Sequence, residues 1–323
     1  MKPKVAFYWC ASCGGCEEAV LDLHDGLLTV AEQFEIVLWP VAFDFKYADV
    51  ENVPDGEIAV AFINGAIRTD EQAFIARMLR QKATTVVAFG SCAHTGGIPG
   101  LANLTTRDAI FESSYLNSPT VENPEATIPL TKTRVDGLDA SLPRFFEHVH
   151  TLDQLIDVDY FLPGCPPMPD NIRFAVQAVL EQRLPPKGSV LGSRKALCDT
   201  CQRQKPDKPV LHRRFYFPHE IQADPNICFL TQGIICCGPA TRSGCGEKCI
   251  EGNMPCTGCF GPLDNITDQG AAMVAAIAAY IDGENEGEIK ASVETILDPA
   301  GTFYRYAVPS SQLFCAKKNE ADS

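Results

Sequence analysis

The sequence lacks any apolar run long enough to cross a membrane. Its longest such stretch, Gly270 to Ile281, makes about three helical turns, whereas a span needs roughly 20 residues. No secretory leader is readable either: Met1-Lys2-Pro3-Lys4 passes directly into Val5 to Trp9, too short for a signal core, and no twin arginine precedes it. Positive charge is scarce, with 27 Lys and Arg against 41 Asp and Glu for a formal net charge of -14. That balance excludes the basic face on which nucleic-acid binding depends. Walker and dinucleotide fingerprints are missing as well. Gly14-Gly15 is too short, and Gly96-Gly97-Ile98-Pro99-Gly100 follows a cysteine turn instead of opening a helix. No flavin, nicotinamide or nucleotide is therefore expected on this chain, and its expected location is the cytoplasm.

What the sequence does have is cysteine: 15 in 323 residues. Cytoplasmic thiols are kept reduced, so disulfides are a poor account of them and metal or cluster ligation a better one. An odd number leaves at least one thiol outside any collection of four-cysteine sites.

The chain changes character near residue 185. Up to about residue 183, apolar strand-like runs alternate with amphipathic helical stretches. Strands are expected at Val5 to Trp9, Glu35 to Phe43, Glu57 to Ile63, Thr84 to Phe89 and Asp159 to Leu162. Helices are expected at Glu17 to Phe34, Glu71 to Gln81 and Asn171 to Gln182. This alternation predicts an α/β fold, a flavodoxin-like doubly wound parallel sheet over residues 1–186. Between Gly100 and Leu152 the periodicity fails amid Thr, Asn, Ser and Pro, which reads as a long insertion with a few short helices. Residues 187–323 read as a second, small and irregular domain with a C-terminal helical segment. Pro, Gly, Arg and Cys dominate there until about Pro262, apolar anchors are few, and metal clusters are expected to act as its staples.

In an open α/β sheet, ligands gather beyond the carboxyl ends of the strands. Cys13 and Cys16 follow the first strand, Cys92 a later one and Cys165 the last, so cysteines far apart in sequence converge on one crevice. Gly14 and Gly15 let backbone amides approach sulfur closely, and the helix beginning at Glu17 points its positive end at an anion held there. Glu17 and Glu18 are read as ordinary first-turn acids. Downstream, two further sets of four follow from the spacing: Cys198, Cys201, Cys228 and Cys236, then Cys245, Cys249, Cys256 and Cys259. Four thiolates suit a 4Fe-4S cluster or a zinc ion, and a pair of structural zinc sites stays open on spacing alone.

Taken together, these segments resemble the small subunits of nickel-iron hydrogenases, and among them the methyl-viologen-reducing type found with heterodisulfide reductase in anaerobes. The resemblance runs over nearly the whole chain. It is carried by Cys13-Gly-Gly-Cys16-Glu, Gly90-Ser-Cys92-Ala with Gly96 to Gly100, and Pro163-Gly-Cys165-Pro-Pro. Further carriers are Cys198-Asp-Thr-Cys201, Cys236-Cys-Gly-Pro239, Thr241-Arg-Ser-Gly-Cys245-Gly-Glu-Lys-Cys249 and Pro255-Cys256-Thr-Gly-Cys259-Phe-Gly-Pro262. It implies a proximal 4Fe-4S cluster on Cys13, Cys16, Cys92 and Cys165, a medial one on Cys245, Cys249, Cys256 and Cys259, and a distal one on Cys198, Cys201, Cys228 and Cys236. It also implies a partner large subunit that holds the nickel-iron centre, an electron-accepting adaptor iron-sulfur subunit, and a flavin-containing heterodisulfide reductase.

Two departures from the periplasmic members, which place histidine where Cys198 stands and proline where Cys249 stands, imply that all three clusters are cubanes. The oxygen-tolerant variants carry extra cysteines at positions corresponding to Gly15 and approximately Ile98, so oxygen sensitivity is implied here. The carboxyl-terminal segment has one cysteine, Cys315, and no second CxxC pair of the kind a nickel site needs. Hydrogen cleavage is therefore expected on the partner, with no catalytic residue in this chain. A complex I type cluster subunit is a related reading, but it predicts adjacent cysteines in the first-strand loop and no downstream eight-cysteine domain. Cys10, Cys237 and Cys315 are expected to be non-ligands, small buried hydrophobes beside or beyond the sets. Of the six histidines only His94, two residues past Cys92, is placed to tune a cluster, and a loop role is the commoner one.

Overall fold

The computed structural model describes residues 2–314. Ten strands occur among them: β1 (Lys4–Trp9), β2 (Glu35–Leu38), β3 (Ile58–Asn64), β4 (Ile67–Thr69), β5 (Ala83–Phe89), β6 (Lys132–Val135), β7 (Leu138–Ser141), β8 (Phe145–His150), β9 (Tyr160–Leu162) and β10 (Ser189–Val190). Six form one parallel sheet in the order β2-β1-β3-β5-β9-β10. The first five of these repeat the flavodoxin-like 2-1-3-4-5 order, so the strand order reverses between β1 and β3 and opens a crevice there. The expected α/β class is the observed one.

The sheet is buried on both faces because its central strands are apolar at successive positions. Val5 and Phe7 of β1, Val60 and Phe62 of β3, and Val87 and Phe89 of β5 point to the side covered by helices Gly15–Leu21, Asp25–Gln33 and Pro169–Leu180. Ala6, Tyr8, Ala61, Ile63, Val86 and Ala88 point to the other side, against helix Asp70–Lys82. Phe7 stacks on Phe62 with ring centroids 5.2 Å apart, and Phe62 meets Phe89 edge-on at 5.9 Å. Each such buried ring contributes roughly 1.5–3 kcal/mol through area removed from water. Helix Asp70–Lys82 starts on a capping box: Gln72 N donates to Thr69 Oγ1 (3.3 Å), and Thr69 N to Gln72 Oε1 (3.1 Å).

Asp159, just before β9, ties three elements together. Its carboxylate accepts from Arg80 Nη1 (2.6 Å), Val86 N (2.8 Å) and Lys187 Nζ (2.6 Å). Burial by itself would raise its pKa, but the bonds from Lys187, Arg80 and Val86 outweigh burial and hold it below the usual carboxylate value. A group depressed in this way stabilises the fold above its unfolded pKa, about 3.9, and that contribution fades as pH falls through the folded value. Asp159→Asn is therefore expected to cost about 2 kcal/mol at pH 7. In urea titrations the gap from wild type should close below about pH 4. A gap that stays constant on acidification would contradict this account.

Several elements depart from expectation. The helix expected over 17–34 is two, broken where His24 adopts φ 51°. The strand expected over 35–43 stops at Leu38, before Trp39-Pro40, since proline has no amide to extend the ladder. The insertion expected to hold only short helices also carries a hairpin, β6 with β7, and a strand, β8, paired antiparallel to β4. The sheet itself extends past Pro186 into β10. The irregular segment beyond it does build a core of its own, with Leu197, Phe215, Phe229, Leu230, Ile234, Met273, Ile277 and Phe303 around Cys236, Cys237 and Cys256. The C-terminal helical segment is present as Gln269–Ala278, Glu286–Glu294 and Pro299–Phe303. Among the described residues no helix is long and apolar enough to cross a membrane. Cys315 lies outside the described residues.

Candidate functional site

The crevice at the carboxyl ends of β1, β5 and β9 holds Cys13, Cys16, Cys92 and Cys165. Cys16 lies in the first turn of helix Gly15–Leu21, Cys92 in the short helix Ser91–Thr95 after β5, and Cys165 in the loop after β9. Two backbone bonds fasten the last two loops together, Gly90 N to Leu162 O (2.8 Å) and Ser91 N to Gly164 O (2.7 Å). Glycines are required where sulfur comes close. A Cβ on Gly90 would stand 2.4 Å from Cys16 Sγ, and one on Gly97 would stand 2.4 Å from Cys92 Sγ.

Cys16 and Cys92 are buried, Cys165 is half-buried and Cys13 is exposed. Burial, followed by the charges of Cys165 and Cys13, pushes the Cys92 thiol up to about 12. The same causes, burial first and then Cys92, Cys165 and Cys13, raise Cys16. Buried neighbouring thiols such as Cys16 and Cys92 ionise together only around a cationic core, which iron in a cluster supplies. Their cradle and their chemistry thus fit the group the sequence resemblance implies.

Glu17 does more than serve a helix terminus. It is 2% exposed, accepts from Trp39 Nε1 and accepts from Asn64 Nδ2 at 2.5 Å. Burial raises its pKa and these two bonds oppose the rise. Asn64 in turn donates to Tyr8 O (3.2 Å) and accepts from Ser12 Oγ (3.0 Å), so the end of β3 braces the Cys10 to Cys16 loop.

The other two sets are also brought together. Cys198, Cys201, Cys228 and Cys236 line one cavity with Arg203 and Lys205. Burial, then Cys236, moves Cys198 up to about 12 against the opposing charge of Lys205. Cys236 rises through burial to about 11, drawn back by the amides of Gly238 and Cys256. Cys245, Cys249 and Cys259 are electrostatic neighbours, with Cys259 pushed to about 12 by burial first and then by Cys165, Cys245 and Cys249. Cys256 is raised well above the ordinary value by burial, then by Cys236, Cys237 and Cys259. Among the described residues no three His, Cys, Asp or Glu side chains converge as the ligands of a single metal ion would.

The three sets are in series. Cys165 of the first and Cys259 of the last feel each other's charge, and Ser91 Oγ donates to the Cys259 carbonyl between them. Cys256 of that same set donates its amide to Cys236 Sγ at 3.3 Å. Tyr306 reaches the first junction: its hydroxyl lies 3.4 Å from Thr257 Oγ1, and Cys259 and Cys165 both raise its pKa after burial does.

Outside the sets, Cys10 is buried among the core residues beneath the sheet, and burial alone raises its thiol. Cys237 is buried beside Cys236, with its Sγ 3.7 Å from Thr302 O. His94 lies tilted against the Phe161 ring, centroids 4.8 Å apart, and burial with the charge of Arg242 holds it down to about 4. No sequence motif marks Trp39, Asn64 or Tyr306; only the fold brings the first two to Glu17, beside Cys16, and Tyr306 to Thr257.

Comparison with known proteins shows the family of the chain. A family model described as NADH ubiquinone oxidoreductase, 20 Kd subunit, matches residues 13–179. Along its whole length the chain is similar to the iron-sulfur subunit of the F420-non-reducing hydrogenase of Archaeoglobus profundus, 36% identical over 97% of this chain and 98% of that protein. It is 35% identical to the corresponding F420-non-reducing hydrogenase subunit of Methanothermobacter marburgensis, over 99% and 98% of the two chains. The delta subunit of the NAD-reducing hydrogenase HoxS of Cupriavidus necator is 27% identical over 53% of this chain and 75% of its own length.

Proposed function

We propose a function for this chain from one premise: it belongs to the family of nickel-iron hydrogenase small subunits that includes the iron-sulfur subunits of the F420-non-reducing hydrogenases. It is an electron-transfer subunit of an oxidoreductase complex that acts on hydrogen, and it works beside a large subunit. The finer reading is that it relays electrons from hydrogen oxidation at the large subunit through three 4Fe-4S clusters. The proximal cluster sits on Cys13, Cys16, Cys92 and Cys165, the medial on Cys245, Cys249, Cys256 and Cys259, and the distal on Cys198, Cys201, Cys228 and Cys236. Cys10, Cys237 and Cys315 ligate nothing.

The observation that carries this reading is the serial linkage of the sets, Ser91 Oγ beside Cys92 on the Cys259 carbonyl and the Cys256 amide on Cys236 Sγ. An electron path needs such junctions, whereas independent zinc staples do not. When bound, the clusters supply one-electron carriers at potentials set by their surroundings. The chain's own residues position the sulfurs and aim backbone amides at Cys236 and Cys256. Trp9, Val41, Phe43 and Ile98 are exposed apolar residues near the first set and offer a face to the large subunit.

The acceptor beyond the distal set is proposed to be an adaptor iron-sulfur subunit and then a flavin-containing heterodisulfide reductase, and the enzyme is proposed to be cytoplasmic. Anaerobic purification with the native partners tests both levels. About twelve iron and twelve labile sulfide per chain are expected, with a nickel-bearing large subunit and the adaptor among the co-purifying chains. Stoichiometric zinc with little iron would sink the cluster reading, and a nicotinamide-reducing module in place of the adaptor would reassign the acceptor.

A further inference from the structure

The cavity that holds Cys198, Cys201, Cys228 and Cys236 is also lined by two cationic side chains, Arg203 and Lys205. Lys205 is fixed at the rim, where its Nζ donates to the Cys198 carbonyl. Arg203 is 6% exposed, and a guanidinium carries five N–H donors in a rigid fork. Four of the five are occupied within the protein. Nη1 donates to the carbonyls of Asp224 (2.8 Å) and Ile227 (3.0 Å), and Nη2 to Ile250 O (3.3 Å) and Asn253 Oδ1 (2.7 Å). One face is covered too, with the guanidinium carbon 3.9 Å from the centroid of the Phe229 ring.

The fifth donor, Nε–H, is buried and has no acceptor among the protein's described atoms. A fork held by four bonds and a ring cannot swing to satisfy it, and a charged donor left unmatched in the interior is costly. The thiols that share the cavity surround the one acceptor-rich, negatively charged group the site is read to hold, since thiolate and sulfide sulfur both accept hydrogen bonds.

We propose that Arg203 tunes the distal cluster: its Nε–H donates to a sulfur of that group, and its fixed charge, with that of Lys205, raises the cluster's reduction potential. The proposal rests on reading this cysteine set as a 4Fe-4S site. Adding an electron makes the group more negative, so a neighbouring cation and a donated hydrogen bond stabilise the reduced form more than the oxidised one. A purely structural Arg203 would fasten the loops at Asp224 to Ile227 and Ile250 to Asn253 without moving any potential.

The test is a potentiometric EPR titration of the anaerobically purified complex carrying Arg203→Gln or Arg203→Lys, with iron counted in each. The distal signal is identified as the one missing from Cys198→Ser. The expected result is a more negative distal midpoint in the Gln variant and a smaller negative shift in the Lys variant, with proximal and medial midpoints unmoved. A retained distal cluster at its wild-type potential in both variants overturns the proposal. Should the Gln variant lose the cluster, the Lys variant decides alone: a lowered potential supports the tuning role, and an unchanged one overturns it. Loss of the cluster in both makes Arg203 a structural clamp and overturns it as well. If Cys198→Ser removes no signal at all, the cluster reading of this set fails first, and the proposal with it.

Discussion

Gly90→Ala is expected to empty the first cysteine set and to lower dye reduction by hydrogen on the order of 100-fold or more, the loss that misplacing a reacting group by an ångström produces. Gly90 sits at φ 85° and ψ 166°, a region open in practice only to glycine, where another residue costs of order 1–3 kcal/mol. The added Cβ would also stand 2.4 Å from Cys16 Sγ and 3.4 Å from the Gly164 carbonyl. Cys16 is buried in the first turn of its helix and held there by the packing of Ala19, Val20 and Leu23. It yields only by carrying its sulfur away from the other three. Iron per chain should fall by about a third, one cubane of three. Gly56→Ala is the control, because Gly56 has φ 72° but nothing within 4 Å of an added Cβ. Its cost is expected to be about 1 kcal/mol with iron intact. Full iron content and unchanged dye reduction in Gly90→Ala would show that Cys16 is no ligand.

Legibility in the sequence differs from element to element for physical reasons. The strands β1, β3 and β5 are legible because a parallel strand buried on both faces must be apolar at successive positions, as in Ile58-Ala-Val-Ala-Phe-Ile-Asn64. The break at His24 is not, since the apolar pattern continues through Leu27 and Val30 as one helix would continue it. The β6–β7 hairpin lies wholly exposed, so it has no buried face to impose alternation. Asp136-Gly137, both at positive φ, is the available signal for it. The first cysteine set is readable because strand ends in this fold converge, which makes distant thiols neighbours, whereas the other two sets are read from spacing. The Glu17, Trp39 and Asn64 network and the unmatched Arg203 donor are not, because nothing local to a lone polar residue reports which buried partner it will meet.

Cys198→Ser separates the path of electrons from the chemistry at nickel. In the proposed order the Cys198 set is the last of the three, joined to the medial set through the Cys256 amide on Cys236 Sγ. A serine hydroxyl is a far poorer iron ligand than a thiolate, so the distal cluster should be lost or crippled. The first set shares no residue with the distal one, and hydrogen–deuterium exchange on the partner subunit needs no net electron to leave. Dye reduction should therefore fall by at least the roughly ten- to hundred-fold that removing even a supporting partner of a metal site costs. Exchange in the same preparation should stay near the wild-type rate. Cys237→Ser is the companion variant, one residue from Cys236, with its Sγ directed at the Thr302 carbonyl. It should leave both rates and the iron content intact if the assignment within the Cys236-Cys237 pair is right. Exchange lost as completely as dye reduction in Cys198→Ser would mean that this set lies on the nickel side of the path, and the order of the three sets would have to be reversed.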